Sequence, residues 1–514
     1  MMNSTARKIL ALTGLIAVVT SFSDVAAQSG QLVREVQTRS LPVAERRMAE
    51  FQANPAAMSY RDSMALSVLS ASGDYLHEEK AAMEQLGRGH SLFALGARSY
   101  MPVGSDGTAW GGAEFVTGLY RDLRWTDCID YERVAPYVLG DEVGGNLSTR
   151  RYSFSGGYAR VAGAWSFGAH AAYRAEMAYR NRDPRVKTVV SDLDIDLGVT
   201  RKVSRTHVAG LSAGLNVYRQ NCDLDFYNPV NQIQTYTLTG MGTYYRRFMG
   251  NTNKNSGYES VGYRASLQFL PVGGSGLSVS AGFSHYRMEQ RLRNFNNLTL
   301  GFTGNDIVDF SAAYSMVLAP SLLFAPRVSA RLFSRDGTEN LFGTSAGASY
   351  EKIGSRKPYA HKITTVSLVL PLQIGTSDRY LTLTPSTTYS KNRETYNDPV
   401  RLLSVSQLTP RLDIDGSLLF QGKWLLRATI GGEYRTSHSE TSDLGDLDVS
   451  TSLGQCVVNN FAMLKASRLG LDAGVSMSRE IGRILYGLSL GYSMADYRDH
   501  GTAHGAIVTL SATF

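Results

Sequence analysis

Charged residues spaced two apart recur through this chain: Arg174 and Glu176; Asp192, Asp194 and Asp196; Arg411, Asp413 and Asp415. Arg427, Glu433 and Arg435 keep the same parity, and Arg264, Arg327 and Arg331 stand singly in similar segments. On an extended strand that spacing places each set on one face, because successive side chains point to opposite sides. Apolar residues such as Leu193, Ile195 and Leu197, or Leu412 and Ile414, take the other face. Two kinds of chemistry fit such sets. Acids and bases can pair across neighbouring strands and fill an interior, or they can line a wet conduit and bias what passes. The residue types alone leave both open.

Catalysis is poorly served. There is no Gly-rich loop ending in Lys-Ser/Thr and no His-Glu-x-x-His, and the nine His are dispersed. A hydrolase assembled from Ser and His on several strands is the remaining enzymatic reading. Cys128, Cys222 and Cys456 fall in long polar connections, so one disulfide plus a free thiol and three reduced thiols are both open. Their spacing and the lack of nearby His pairs do not make a metal site. No catalytic, cofactor-binding or metal-ligating residue is expected.

The elements that must position these charges are strands. The chain has 514 residues, 43% hydrophobic and 19% charged, with 50 Gly and 28 Tyr. Beyond the first twenty-odd residues no apolar run approaches the roughly 18 residues of a spanning helix. The net charge of +7 comes from basic residues scattered among acids, so nucleic acid is not an expected partner. Val261, Tyr263, Ala265, Leu267 and Phe269 alternate with Gly262, Arg264, Ser266 and Gln268, a period of two repeated in segment after segment. Short links at 105–107, 163–164, 204–205, 273–275, 319–321, 376–378, 421–423 and 481–483 take turns with longer polar ones. The longer links are 126–149, 181–188, 221–256, 294–304, 338–360, 396–407 and 439–464. That sorting predicts a transmembrane antiparallel β-barrel, all-β and porin-like, with short periplasmic turns and long extracellular loops.

Eighteen strands are expected, with 16 or 14 as alternatives: 61–75, 90–103, 108–125, 150–163, 164–180, 189–204, 206–220, 257–270 and 276–293, then 305–318, 322–337, 361–375, 380–395, 408–421, 424–438, 465–481, 484–498 and 504–514. Segment 234–248 is also strand-like and is assigned to an extracellular excursion. A strand charge facing hydrocarbon costs about 2–4 kcal/mol at the midplane, so the charges above are assigned to the lumen. Trp110, Trp125, Trp165 and Trp424, with Tyr120, Tyr173, Tyr286 and Tyr434, lie near strand ends and suit interfacial girdles.

The N-terminus reads as a secretory signal peptide over 1–27: Arg7 and Lys8, an apolar core from Ile9 to Val19, then Val25-Ala26-Ala27. At the other end Ala506, Val508, Leu510, Ala512 and Phe514 share a face. A terminal aromatic on an alternating strand resembles the signal read by the barrel assembly machinery. Both point to a Gram-negative outer membrane, with the lipid bilayer and that machinery as partners.

Residues 28–58 lack alternation, and Gln52-Ala-Asn54-Pro55-Ala56-Ala-Met58 closes them. This stretch resembles the Asn-Pro-Ala element of FadL-like hydrophobic-compound transporters, in which such a segment would be a lumenal hatch. A periplasmic tail is the alternative. Ala97-Arg-Ser-Tyr-Met101, Thr108–Gly118, Tyr173-Arg-Ala-Glu176 and Arg182-Asp-Pro-Arg185 resemble a Bacteroidota family of outer-membrane barrels without an assigned function. The expected function is transport or uptake of a solute or hydrophobic compound. The rival is a structural or accessory barrel serving a surface or secretion complex, with lipoprotein partners.

Overall fold

A strand that is apolar on one face and polar on the other must segregate two environments, and a membrane allows it only if no sheet edge is left open. The computed structural model describes residues 31–61, 64–228, 230, 233–249, 255–272, 275–346, 349–376 and 378–514. It shows that solution: eighteen strands, each antiparallel to its neighbours in sequence. They are β1 Leu66–Glu78, β2 Gly89–Val103, β3 Gly107–Leu123, β4 Gly145–Ala162, β5 Trp165–Tyr179 and β6 Arg185–Lys202. Next come β7 His207–Asp225, β8 Asn255–Pro271, β9 Gly276–Leu292, β10 Leu298–Ala319 and β11, in two parts, Leu322–Phe324 and Arg327–Ala346. Strand β12 is Ser349–Val369 with Leu372–Gly375, followed by β13 Arg379–Asn397, β14 Val400–Phe420 and β15 Trp424–Asp443. Finally β16 Arg468–Ile481, β17 Ile484–Tyr497 and β18 Gly501–Thr513 complete the wall. The first and last strands pair from Val68↔Thr513 to Glu78↔Ala503 and close the barrel. The signal-peptide segment lies outside the described residues.

Several boundaries differ from those expected. The first strand begins at Leu66, not 61, because Pro55–Tyr60 forms a 3-10 helix that holds the chain inside. β11 and β12 are each broken, at Ala325-Pro326 and Leu370-Pro371, where proline cannot donate to the ladder. The expected loops 338–360 and 396–407 are mostly ladder: Arg335 pairs His361, Glu339 pairs Arg356, and β13 turns into β14 at Asp398-Pro399. Cys222 lies within β7, not in a loop. Thr235–Gly240 stays out of the barrel and pairs with Val138–Asp141 and Thr243–Tyr244 in a separate small sheet.

The outward face is a belt of exposed apolar side chains. Leu197 is 61% exposed and Leu267 62%, with Val261, Ile430 and Leu510 similarly placed. Tyr158, Trp165 and Phe167 add exposed aromatic rings near the short-turn end, and Phe154 one at mid-strand. Ser266, one residue from Leu267, points inward and shares a hydrogen bond of 2.7 Å with Ser212. Leu267→Arg is therefore expected to cost about 2–4 kcal/mol of membrane folding while Ser266→Arg is mild. Heat-modifiable mobility of the two variants checks it; equal tolerance would contradict the assignment of faces.

Two segments enter the barrel. Near the short-turn end lie helices α1 Gln31–Arg39 and α2 Pro42–Gln52 and the 3-10 turn Pro55–Tyr60. At the other end, residues 124–144, including the short helical turn Tyr131–Val134, fold inward beside the small sheet and helix α3 Ser452–Lys465. Thr451 caps α3 by accepting from Gly454 N at 3.1 Å.

Candidate functional site: a lumen crossed by two docked segments

The first segment makes a floor. On one side Leu32 and Val33 bury against Leu425 and Leu485; on the other, Phe51 and Ala57 bury against Val208 and Leu270. Between these anchors, polar contacts tie the floor to the wall. Glu50 pairs with Arg327 and accepts from Ser278 Oγ at 3.0 Å. Glu45 lies 3.2 Å from Arg427, and Tyr100 Oη donates to Met58 O at 3.1 Å. Asn54 is fully buried, and its Oδ1 accepts from Ala56 N at 3.0 Å, which starts the 3-10 turn over Pro55 and Ala56. The wall meets this turn with glycines. A Cβ on Gly168 would come 2.4 Å from Ala56 N, and one on Gly198 would come 2.1 Å from Asn54 Oδ1. Neither wall strand could bring the turn so close with a larger residue.

The second segment makes a roof. Arg174 of β5 reaches Asp130 at 2.5 Å, Glu176 at 3.0 Å and Asp192 at 3.3 Å. Arg133 reaches Asp192 at 3.1 Å and stacks its guanidinium 4.1 Å from the Tyr218 ring centre. Arg335 donates to the carbonyls of Ala135 and Glu132 at 2.7 and 2.8 Å, capping the turn's backbone from the wall. The tightest attachment is Arg180, which reaches Asp127 at 3.0 Å and Asp141 at 2.5 Å. All three side chains are buried, at 3%, 0% and 0% exposure. Burial, reinforced by the neighbouring Asp141 charge, holds the Asp127 carboxyl well above the usual carboxylate range. Helix α3 completes the roof through Arg435, which donates to the Met463 and Ala466 carbonyls at 3.1 Å.

Between floor and roof lies a cavity of about 1540 Å³. Pro55 and Met58 of the floor form one side; Arg174 and Asp192, which hold the roof, form part of the other. Its walls carry Asp194, Asp196 and Arg331, many serine hydroxyls, and Trp110 stacked on His170 at 6.3 Å. Arg264 spans Asp194 at 2.6 Å and Asp196 at 2.7 Å, while Arg331 lies 3.5 Å from Asp309. On the opposite wall Arg411 reaches Asp413 at 2.5 Å, Asp472 at 2.7 Å and Glu433 at 3.5 Å. Arg427 meets Asp415 at 2.7 Å.

These two aspartates differ. The Asp413 carboxylate is 34% exposed and its Arg411 keeps two other acids. Asp415 is only 10% exposed and is the nearer acid to Arg427. Asp413→Asn is expected to change stability by less than about 1 kcal/mol, and Asp415→Asn to cost about 1.5–3 kcal/mol. Urea unfolding of the two variants reads the split; equal losses would contradict it.

Sequence reading missed Asp127, Asp130, Arg133, Asp141, Arg180 and Arg335. The density of acids and bases in Thr126–Arg133 was the available signal. Four expected girdle residues are corrected. Trp125 is 1% exposed in the roof cluster with Leu238, Leu453 and Cys456, and Trp110, Tyr120 and Tyr286 face inward. Ser212 sits at a Gly-x-Ser-x-Gly spacing over 210–214, yet it lies mid-strand and bonds Ser266, without the sharp strand-to-helix turn such a nucleophile needs.

Fold and lumen define a class: a large closed β-barrel with an apolar outer belt and a polar, partly filled interior. The chain belongs to DUF6850, a family of unknown function, whose profile matches residues 55–514. No curated protein sequence matches it. Among solved structures it is similar to a mutant of the ferric enterobactin receptor PfeA from Pseudomonas aeruginosa, at 8% identity and a TM-score of 0.40 over 88% of this chain and 81% of that one. It is also similar to the copper transporter OprC, at 10% identity and a TM-score of 0.38 over 87% and 81%. The siderophore receptor PirA from Acinetobacter baumannii gives 8% and 0.38 over 88% and 81%.

Proposed function

We propose that this protein is an outer-membrane barrel that admits a hydrophilic solute through a lumen gated at both ends. The observation that carries this reading is the 1540 Å³ cavity, walled by charges and hydroxyls, lying between two segments attached largely by side-chain contacts. A filled, purely structural barrel has no use for such a space. The lining mixes these charges and hydroxyls with apolar groups such as Met58, Trp110 and Phe310, so the preference for a hydrophilic solute over the hydrophobic compound that a FadL-like resemblance implies rests on its fixed charges, Asp194, Asp196 and Arg331 among them. In this reading the short turns and the floor face the periplasm and the roof faces outside, where a surface lipoprotein could engage it. Proteoliposome swelling tests it. Sugar-sized neutral solutes should enter when roof and floor are loosened, and exclusion of every solute by such variants would favour the accessory-barrel reading.

Assembly follows from the seam. Phe514 exchanges backbone hydrogen bonds with Ser67 at 2.8 and 3.0 Å, continuing the β1–β18 closure. Deleting Phe514 is expected to slow insertion and leave protease-sensitive protein in the periplasm, measured by pulse-chase. Normal outer-membrane levels would argue against its role as an assembly signal.

A further inference from the structure

We propose that Cys128 and Cys222 form a disulfide that fastens the roof to the barrel wall. Cys128 belongs to the inward-folded segment and Cys222 to β7, and their sulfurs stand 3.5 Å apart. Both are buried, at 2% and 0% exposure, within one apolar cluster that includes Val134, Val190 and Tyr258. Their neighbours fix the approach. Cys222 is the ladder partner of Thr188 on β6, and Thr188 Oγ1 donates to Asp127 O at 2.8 Å, one residue from Cys128. The two backbones are thus held beside the sulfurs, which must close from 3.5 Å to the S–S separation of about 2.05 Å for the bond to form. Cys456 lies in a different cluster, against Trp125 and Leu238, with Gln85 Nε2 3.4 Å from its sulfur.

The chemistry is thiol–disulfide exchange with a donor disulfide, of the kind carried by thiol oxidoreductases of oxidising compartments. One cysteine, as thiolate, attacks the donor S–S bond and releases one donor thiol. The second thiolate attacks the mixed disulfide and releases the other. The pair loses two electrons, the donor gains them, and the two protons end on the donor thiols. Because both sulfurs are covered once the roof has docked, exchange belongs to folding or to the undocked state. A bond made then holds the roof down; a reduced pair leaves it held by noncovalent contacts alone. The existence of the bond is independent of the gated-lumen reading, whereas its effect on passage rests on that reading.

The test uses the full-length protein assembled with glutathione disulfide or with dithiothreitol, denatured in iodoacetamide and digested without reduction. Mass spectrometry should find the 128 and 222 peptides linked after oxidising assembly, with Cys456 alkylated. Alkylation of all three thiols after oxidising assembly, or a link through Cys456, would overturn the bond. Planar-bilayer recording in a Gly198→Leu background, where the floor is released, separates the two ideas: oxidised protein should open at least tenfold less often than reduced protein or a Cys128→Ser, Cys222→Ser variant of it. A linked protein that opens as often as the reduced one would uphold the bond and overturn the roof as a gate.

Discussion

Replacing Arg180 with Met is expected to undock the roof of protein whose Cys128–Cys222 pair is reduced. The substitution keeps much of the side-chain volume but strands Asp127 and Asp141, both wholly buried, without their cation. Removing one partner of a buried ionic cluster costs about 3–5 kcal/mol, which lowers the docking equilibrium constant by roughly two to three and a half powers of ten. The barrel ladder does not depend on this contact, so heat-modifiable folding should persist while proteolysis at 124–144 accelerates. Loss of barrel folding, or unchanged protection of the loop, would contradict the latch. A pH dependence follows with a definite sign. Asp127 has a raised folded-state pKa, so its docked form binds protons more readily than the free loop. Its contribution is full below the ordinary carboxylate pKa and is lost as pH rises through the raised value. Hydrogen exchange across 124–144 should therefore quicken with pH beyond its intrinsic base catalysis, and Asp127→Asn should flatten that excess.

The floor is expected to yield to one wall substitution. Gly198→Leu places a side chain where Asn54 Oδ1 already sits, 2.1 Å from the new Cβ. Overpacking of this kind costs about 1–3 kcal/mol, set against the turn's remaining ties to the wall, which include Ser166 Oγ donating to Ala56 O at 2.9 Å and Tyr100 Oη donating to Met58 O at 3.1 Å. The floor should release, seen as faster cleavage near residues 50–60, while the barrel stays folded. Gly282→Ala is the control, because a Cβ there meets nothing nearer than Ser266 Cβ at 3.8 Å. Equal cleavage in both variants would refute the close-approach argument.

The barrel was legible because lipid and water impose a period of two wherever a strand crosses the membrane, as at Val261–Phe269. Above the belt both faces are wet and the signal fades. Glu339 paired with Arg356, or Asn340 with Ser355, therefore reads as loop although the ladder continues. The inward charges were legible by parity alone, since Arg264 and Arg411 sit opposite Val261, Tyr263 and Leu412. Their docked partners were not. Arg180 and Asp127 lie 53 residues apart and Arg335 and Ala135 200 apart, and no local pattern links such distant polar groups. Trp125 illustrates the same limit: a ring near a strand end suits a girdle, and only the folded roof shows it buried.

Single-channel conductance in planar bilayers, comparing the parent with Arg180→Met, Gly198→Leu and the double variant, all with cysteines reduced, bears most directly on a lumen barred in series at both ends. Each single variant should leave the other barrier in place and raise the open probability only modestly. The double variant should show long openings of a wide, salt-conducting pore. A parent that already conducts freely, or a folded double variant that stays silent, would contradict it.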